Sequence, residues 1–256
     1  MKEYLKVSSL SKSYVSLSGE EKKIFESLDM GVEKGSFTAI FGPNGSGKTT
    51  LFNMIAGLLE PDHGSIEIDG KAPKRIRISF LFQRFTETLL PWRSAIDNIA
   101  FPLEIAGVPK RERHQRVREL LKTLDIDIPL KQYPYQSSGG QNQLTAIARA
   151  LIMEPDILLL DEPLSAIDYE GRLNMENKLQ EIWSKTKVTT VMISHDIDEA
   201  VYLADRILVF GRSPKKIVAD VTVDLPRPRT ARTIKTAKFN RIRGEVLAAF
   251  LKGRDQ

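Results

Sequence analysis

The sequence predicts an α/β fold: a mostly parallel sheet with helices on its faces, an N-terminal antiparallel β subdomain and a helical insertion. Three observations predict it. Four short runs, at 37–41, 157–160, 189–194 and 207–210, are rich in branched or aromatic residues, and three of them sit between helical patterns. Unbroken apolar strands separated by helices belong to sheets that are covered on both faces, and such sheets are parallel. By contrast, Ser65-Ile66-Glu67-Ile68-Asp69-Gly70 alternates polar and apolar residues up to a turn signal, the pattern of a half-exposed antiparallel strand. Residues of about 93–135 follow a third pattern, charged and helical, punctuated by Pro102, Pro109, Pro129 and Pro134.

Near the start of the chain, Leu5, Val7 and Leu10 offer apolar positions that can join the antiparallel sheet. The run at 37–41 reads as a strand, and Leu51, Ile55 and Leu58 behind it carry helical spacing. In the insertion, Val117, Leu120, Leu121 and Leu124 give the charged segment 110–122 one apolar face. Leu144, Ile147, Ala148 and Leu151 open an amphipathic helix just ahead of the run at 157–160. Pro226 and Pro228 interrupt the chain before a last helical pattern through Ile242, Val246, Leu247, Phe250 and Leu251. The expected organisation is one domain over 1–212, with its helical insertion at about 90–153, and a C-terminal extension over 213–256.

Composition limits the function classes. The chain has 256 residues, 41% hydrophobic and 28% charged, enough to bury a core. There is no Cys, which excludes disulfides, thiolate metal sites and cysteine nucleophiles. Met1-Lys2-Glu3-Tyr4-Leu5-Lys6 has no apolar stretch behind its basic start, so no secretory signal is expected. The apolar runs fall far short of the roughly 18 residues that span a bilayer. A soluble chain, or one peripheral to a membrane through a partner, is expected. The net charge of +5 reads as a solvated basic surface. Arg227, Arg229, Arg232, Lys235, Lys238, Arg241 and Arg243 keep nucleic-acid binding open, but no aromatic-interleaved basic stripe supports it.

The chemistry begins at Gly42-Pro43-Asn44-Gly45-Ser46-Gly47-Lys48-Thr49, followed by Thr50, which matches G-x-x-x-x-G-K-[ST] in full between a strand and a helix. Its glycines let the backbone curl so that successive N–H groups face phosphate oxygens, and the following helix adds its positive end. Lys48 sets a charge against the β- and γ-phosphates of ATP, and the Thr49 hydroxyl can ligate Mg²⁺. The apolar run at 157–160 ends in Asp161 and Glu162, at the strand end where ligands bind in open α/β sheets. Asp161 can hold Mg²⁺, and Glu162 can take a proton from an attacking water. Ser138, Gly139, Gly140 and Gln141 form a second anion-binding helix start. Alone it reads as a cap. As a phosphate site without its own lysine, it makes sense closing over another subunit's ATP.

Ser137-Ser138-Gly139-Gly140-Gln141 resembles the signature motif of ABC ATPases, normally LSGGQ, and the family's other motifs stand in order. Tyr14, in Leu10-Ser11-Lys12-Ser13-Tyr14, matches the aromatic that stacks on adenine, and Gln83, in Phe82-Gln83, matches the Q-loop. Ser165-Ala166-Ile167-Asp168 matches the D-loop, and His195, in Ile193-Ser194-His195-Asp196, the switch histidine. The resemblance covers about 3–212 and implies a P-loop NTPase (RecA-like) core. It implies two copies packed head to tail, with ATP between the phosphate loop of one and 138–141 of the other. His195 would hold the γ-phosphate and the water, Gln83 would sense Mg²⁺ and the transport subunit, and Asp168 would link the two sites. The chain departs from the family at Ser137, where Leu is usual. It departs also at Asn142 and Leu144, where many members carry Arg, and at Arg84, where Glu is frequent.

Leu89-Leu90-Pro91-Trp92-Arg93-Ser94-Ala95-Ile96-Asp97-Asn98-Ile99 is similar to a segment of the nitrate/sulfonate/taurine importer branch. Val108-Pro109, Ile197-Asp198-Glu199-Ala200-Val201 and Leu225-Pro226-Arg227-Pro228-Arg229 agree with it. Read structurally, Trp92 is instead a buried anchor of the insertion. The branch implies an ATP-hydrolysing importer subunit for a small anion such as nitrate, a sulfonate or taurine. Its partners would be a second copy, transmembrane permease subunits and, indirectly, an extracytoplasmic substrate-binding protein, at the cytoplasmic face of the membrane. The alternative is a soluble ABC-type ATPase acting on nucleic acid or ribosomes. Many of those carry a coiled coil, a Cys-rich zinc insertion or two cassettes, and this chain has one cassette, no Cys and no sustained heptads, so no nucleic acid is expected.

Overall fold

The computed structural model describes residues 3–15, 19–83, 88–165, 169–212 and 216–254. Two sheets form. In the first, β1 (Glu3–Val15) lies between β2 (Glu21–Glu33) and β4 (His63–Ile68), antiparallel to both. Leu5, Val7 and Leu10 are buried in β1. In β4, Ile66 and Ile68 are buried while Ser65 and Glu67 face solvent, as their alternation predicts.

The second sheet has the order β5 (Ile78–Leu81), β6 (Ile157–Asp161), β7 (Thr189–Ser194), β3 (Phe37–Phe41), β8 (Arg206–Phe210), β9 (Ile217–Thr222). Every pairing is parallel except the last, where β9 turns back antiparallel on β8. Every position of the runs at 37–41, 157–160, 189–194 and 207–210 is buried, because alternate residues enter different cores. Phe37, Ala39, Phe41, Leu158, Leu160 and Met192 belong to one core. It also holds residues from α2 (Ala95–Ile105), α3 (Lys110–Thr123), α4 (Gly139–Leu151), α5 (Tyr169–Thr186), α6 (Ile197–Leu203) and α8 (Ala237–Arg254). Ile40, Ile157, Leu159, Val191, Ile193 and Leu208 point the other way, onto α1 (Lys48–Ile55) and the antiparallel sheet.

The sequence pattern does not show β2, β5 or β9. In β2 the left-handed Ser27 (φ 57°) and register shifts against β1 spoil the alternation. Strand β5 has four residues, only one of them buried, and β9 mixes Asp220 and Thr222 into its run. In α8, Phe239, Ile242 and Val246 are buried, whereas Leu247 and Leu251 remain partly exposed.

Trp92 is not a buried anchor: it is 71% exposed. The segment is held instead by Leu89 and by the buried Asn98 of α2. Asn98 Oδ1 accepts from the Leu90 N–H (2.8 Å), and its Nδ2 donates to Leu90 O (3.1 Å) and Arg93 O (2.9 Å). A side-chain amide serves both the donor and the acceptors of a loop backbone that an apolar anchor would leave unsatisfied.

Arg227 and Arg229 of the basic tail turn inward. Arg227 stacks 4.2 Å over the Trp183 ring and pairs with Asp205 at 2.8 Å. Arg229 is 1% exposed, and its guanidinium donates to the carbonyls of Val201, Tyr202 and Ala204 at the end of α6. Those carbonyls have no intrahelical partners, so the arginine closes the helix and fastens the tail to it. Burial first, then the Arg227 charge, pulls the Arg229 pKa down to about 10. No helix among the described residues is long and apolar enough to cross a membrane.

Candidate active site

The phosphate loop joins the end of β3 to the start of α1. Gly42 passes so close to β8 that a Cβ there would lie 2.8 Å from both Cβ and O of Phe210. Gly47 has φ +93°, and a Cβ on it would come within 2.6 Å of the Phe25 ring. These two glycines are required by close packing and by backbone conformation. Ser46 is buried, and its N–H donates to Pro43 O (3.3 Å). The buried Lys48 ammonium donates to Gly42 O and Pro43 O, both at 2.9 Å. Burial lowers its pKa, against the raising charges of Glu162 and Asp161.

Asp161 ends β6 with 7% exposure, and Thr49 Oγ1 donates to its Oδ2 at 3.4 Å. Burial, then the Glu162 charge, pushes the Asp161 carboxyl up to about 6; the Thr49 hydroxyl and Lys48 act against them. Glu162 takes a left-handed conformation (φ 49°), and its N–H donates to Ile193 O at 3.0 Å. For a non-glycine residue this costs about 1–2 kcal/mol. The turn sends the Glu162 side chain to different partners from those of Asp161. Its Oε2 accepts from Gln83 Nε2 at 2.8 Å and lies 3.2 Å from Nδ1 of His195. Gln83, Glu162 and His195 follow β5, β6 and β7, so three parallel strands deliver them to one edge of the sheet. The Gln83 amide meets Glu162, not Asp161, among its described contacts.

Tyr14 lies near the end of β1, opposite Lys22, with 43% exposure. Phe25 of β2, opposite Lys12, reaches Gly47, so this hairpin flanks the phosphate loop. Ser138 caps α4 reciprocally. Its Oγ accepts the Gln141 N–H (3.3 Å), and Gln141 Oε1 accepts the Ser138 N–H (2.9 Å). Ser138, Gly139 and Gly140 are exposed. Among the described residues no hydrogen bond or ion pair joins 138–141 to the loop at 42–49. Ser137 Oγ donates to Tyr133 O (3.3 Å), and Asn142 Nδ2 to Pro134 O (2.8 Å), so both departures from the family pattern hold the turn before α4. Asp168 and Arg84 lie outside the described residues.

Three further contacts escape motif reading. The buried Gln143 donates to Pro163 O at 2.8 Å, tying α4 to the turn after Glu162. Arg172 of α5 pairs with Asp196 at 2.6 Å. Asp196 caps α6, accepting from the N–H groups of Asp198 (2.8 Å) and Glu199 (3.2 Å). The D-x-x-E spacing of Asp196 and Glu199 is a helix-start signal that could have placed this cap.

A glycine-lined loop carrying Lys48 and Thr49, beside a buried Asp and a neighbouring Glu at the strand ends, defines a P-loop nucleoside triphosphatase. The family model described as "ABC transporter" matches residues 25–165, and the chain belongs to that family as an ATP-binding subunit with ATPase activity. It is similar to the Taurine import ATP-binding protein TauB of Pseudomonas aeruginosa, 39% identical over 241 residues, 91% of this chain and 90% of that one. It is similar also to the Aliphatic sulfonates import ATP-binding protein SsuB of Bacillus licheniformis, 40% identical over 229 residues, 89% of this chain and 87% of that one. Its fold matches a solved dimeric ATP-binding cassette in a post-hydrolysis state bound to ADP and Pi. The TM-score is 0.72 and the identity 29%, covering 87% of this chain and all of that one.

Proposed function

We propose that this chain powers an importer of a small anion, such as taurine, another sulfonate or nitrate. The observation that carries the catalytic reading is the convergence of Gln83 and His195 on one oxygen of Glu162, beside the phosphate loop. The importer reading is supported by the TauB and SsuB relatives. The working unit would be two copies, contacting transmembrane permease subunits at the cytoplasmic face of the membrane. An extracytoplasmic substrate-binding protein would act through the permease. Residues 1–212 would serve as the ATP-binding domain, with the insertion at about 90–153, and 213–256 as an extension packed on it.

Lys48 and the backbone of 42–50 would grip the triphosphate, and Tyr14 would stack on adenine. Mg²⁺ fits the donors present: the Thr49 hydroxyl, the Asp161 carboxylate and the Gln83 amide oxygen are hard oxygen ligands. Bound with ATP, that ion would neutralise charge on the phosphates. Glu162 Oε2 takes the proton of the attacking water as its oxygen bonds to the γ-phosphorus and ADP departs. Gln83 and His195 hold Oε2 in place for that transfer. The exposed start of α4, with Ser138, Gly139, Gly140 and Gln141, would close over the ATP of the second copy, and Asp168 would link the two sites. Closure on ATP and reopening after hydrolysis would rock the permease between its two states.

The test is Lys48→Ala. Nucleotide titration and phosphate release should show weakened ATP binding and abolished hydrolysis; unchanged affinity would refute the assignment of the loop. A nucleic-acid role loses ground because Arg227 and Arg229 are committed inside the protein.

A further inference from the structure

The turn that presents His195 hinges on one buried hydroxyl. Ser194 has 0% exposure. Its Oγ accepts the Asp196 N–H at 3.0 Å, lies 3.0 Å from Asp196 O, and makes a short hydrogen bond with Glu199 Oε2. Glu199 stands in the first turn of α6 with 4% exposure, and its Oε1 has no hydrogen-bond partner among the described residues. A hydroxyl carries one proton, yet two acceptors, Asp196 O and Glu199 Oε2, lie within reach of it. Asp196 O already accepts the Ala200 N–H at 3.1 Å, but the Ser194 hydroxyl can make both of its contacts at once only if Glu199 brings a proton of its own. Glu199 then donates to Ser194 Oγ, and Ser194 donates to Asp196 O. The partnerless Oε1 becomes the carbonyl of an acid rather than half of a buried anion, which is far cheaper to bury.

The surroundings agree. The carboxylates of Glu176 (α5) and Asp196 face this side chain, and Asp198 adjoins it. Arg172 is paired with Asp196 and Arg243 of α8 with Asp198, each at 2.6 Å, rather than with Glu199. Burial chiefly, then Glu176 and Asp196, raises the Glu199 carboxyl to about 8, against the Ser194 hydrogen bond and Arg172.

We propose that Glu199 is a neutral carboxylic acid that donates to Ser194 and thereby positions the His195 turn. The link to catalysis rests on the role given to His195 above. It makes Glu199 a positioning residue, acting on His195 through Ser194 and the backbone of the turn rather than by touching the reacting atoms.

The experiment uses the full chain with Glu199→Gln, which keeps an N–H donor in place of the O–H, and Glu199→Met, which keeps the length and has no donor. The infrared difference between wild type and Glu199→Gln at neutral pH should contain a protonated-carboxyl C=O band. Glu199→Met should lower kcat for ATP about tenfold, the scale of one buried hydrogen bond, with the ATP Kd unchanged. Glu199→Gln should recover most of that loss. Absence of the band overturns the proposal, as does a Gln variant as slow as the Met variant. The infrared band decides the matter even if Glu199→Met does not fold. A His195→Ala chain that hydrolyses ATP at the wild-type rate would remove His195 from the mechanism and overturn the positioning role, leaving the band to report the proton alone.

Discussion

Replacing Glu162 by Gln exchanges one oxygen for an NH₂ group and leaves the shape of the site intact. In the native chain Oε2 accepts from Gln83 at 2.8 Å and faces His195 at 3.2 Å. The Gln side chain can still offer its carbonyl oxygen to Gln83, so the arrangement persists and only the basicity goes. Loss of a positioned general base costs about a hundredfold to ten-thousandfold in rate, or about 2.7–5.5 kcal/mol of barrier. Binding should hardly change, since Lys48 and the loop backbone carry the phosphate contacts. One side effect has a definite sign: Glu162 is a cause of the raised Asp161 pKa, so Asp161 should ionise at lower pH in the variant. The assay is phosphate release at saturating Mg-ATP, paired with a nucleotide titration. Turnover within about threefold of wild type in a folded variant would refute the base assignment, given the hundredfold minimum expected of a base.

Gly47→Ala forces alanine into φ +93° and sets a Cβ 2.6 Å from the Phe25 ring. We expect a loss of about 2–4 kcal/mol in stability and weaker ATP binding, measured by denaturant unfolding and titration. Arg229→Leu leaves the carbonyls of Val201, Tyr202 and Ala204 buried without their donor. At about 1–3 kcal/mol per orphaned group the loss should reach at least about 3 kcal/mol, read from the urea midpoint. Glu199 and Glu176 have folded pKa values raised from 4.5 to about 8 and about 7, by burial first in both. Their stabilising effect is therefore full below about 4.5 and is lost as pH rises through 7 and 8. Glu199→Gln should remove its share of that decline, at most about 1.4 kcal/mol per pH unit; an unchanged slope would contradict it.

What the sequence shows and what it hides follow from range. The runs at 37–41 and 189–194 are legible because a strand buried on both faces carries no charged side chain: every position is buried, and the polar ones are only Thr38, Thr189, Thr190 and Ser194. The phosphate loop is legible because close backbone approach admits only glycine at 42 and 47. Strand β2 is hidden because Ser27 and the register shifts disturb its period. Trp92 misleads because an aromatic side chain in an apolar segment looks like core, while the buried anchor is the polar Asn98. The contacts of Gln143, Ser194 and Arg229 join segments far apart in the chain or depend on burial, and no local pattern signals them. The start of α4 is legible as a cap; its proposed task needs a second copy of the chain.

That task admits a direct measurement. Light scattering on Glu162→Gln with ATP and Mg²⁺ should show the mass of two chains, returning to one chain when nucleotide is withdrawn or when Ser138 is replaced by Arg. A variant that binds ATP fully yet keeps the mass of one chain at saturating protein would contradict the account.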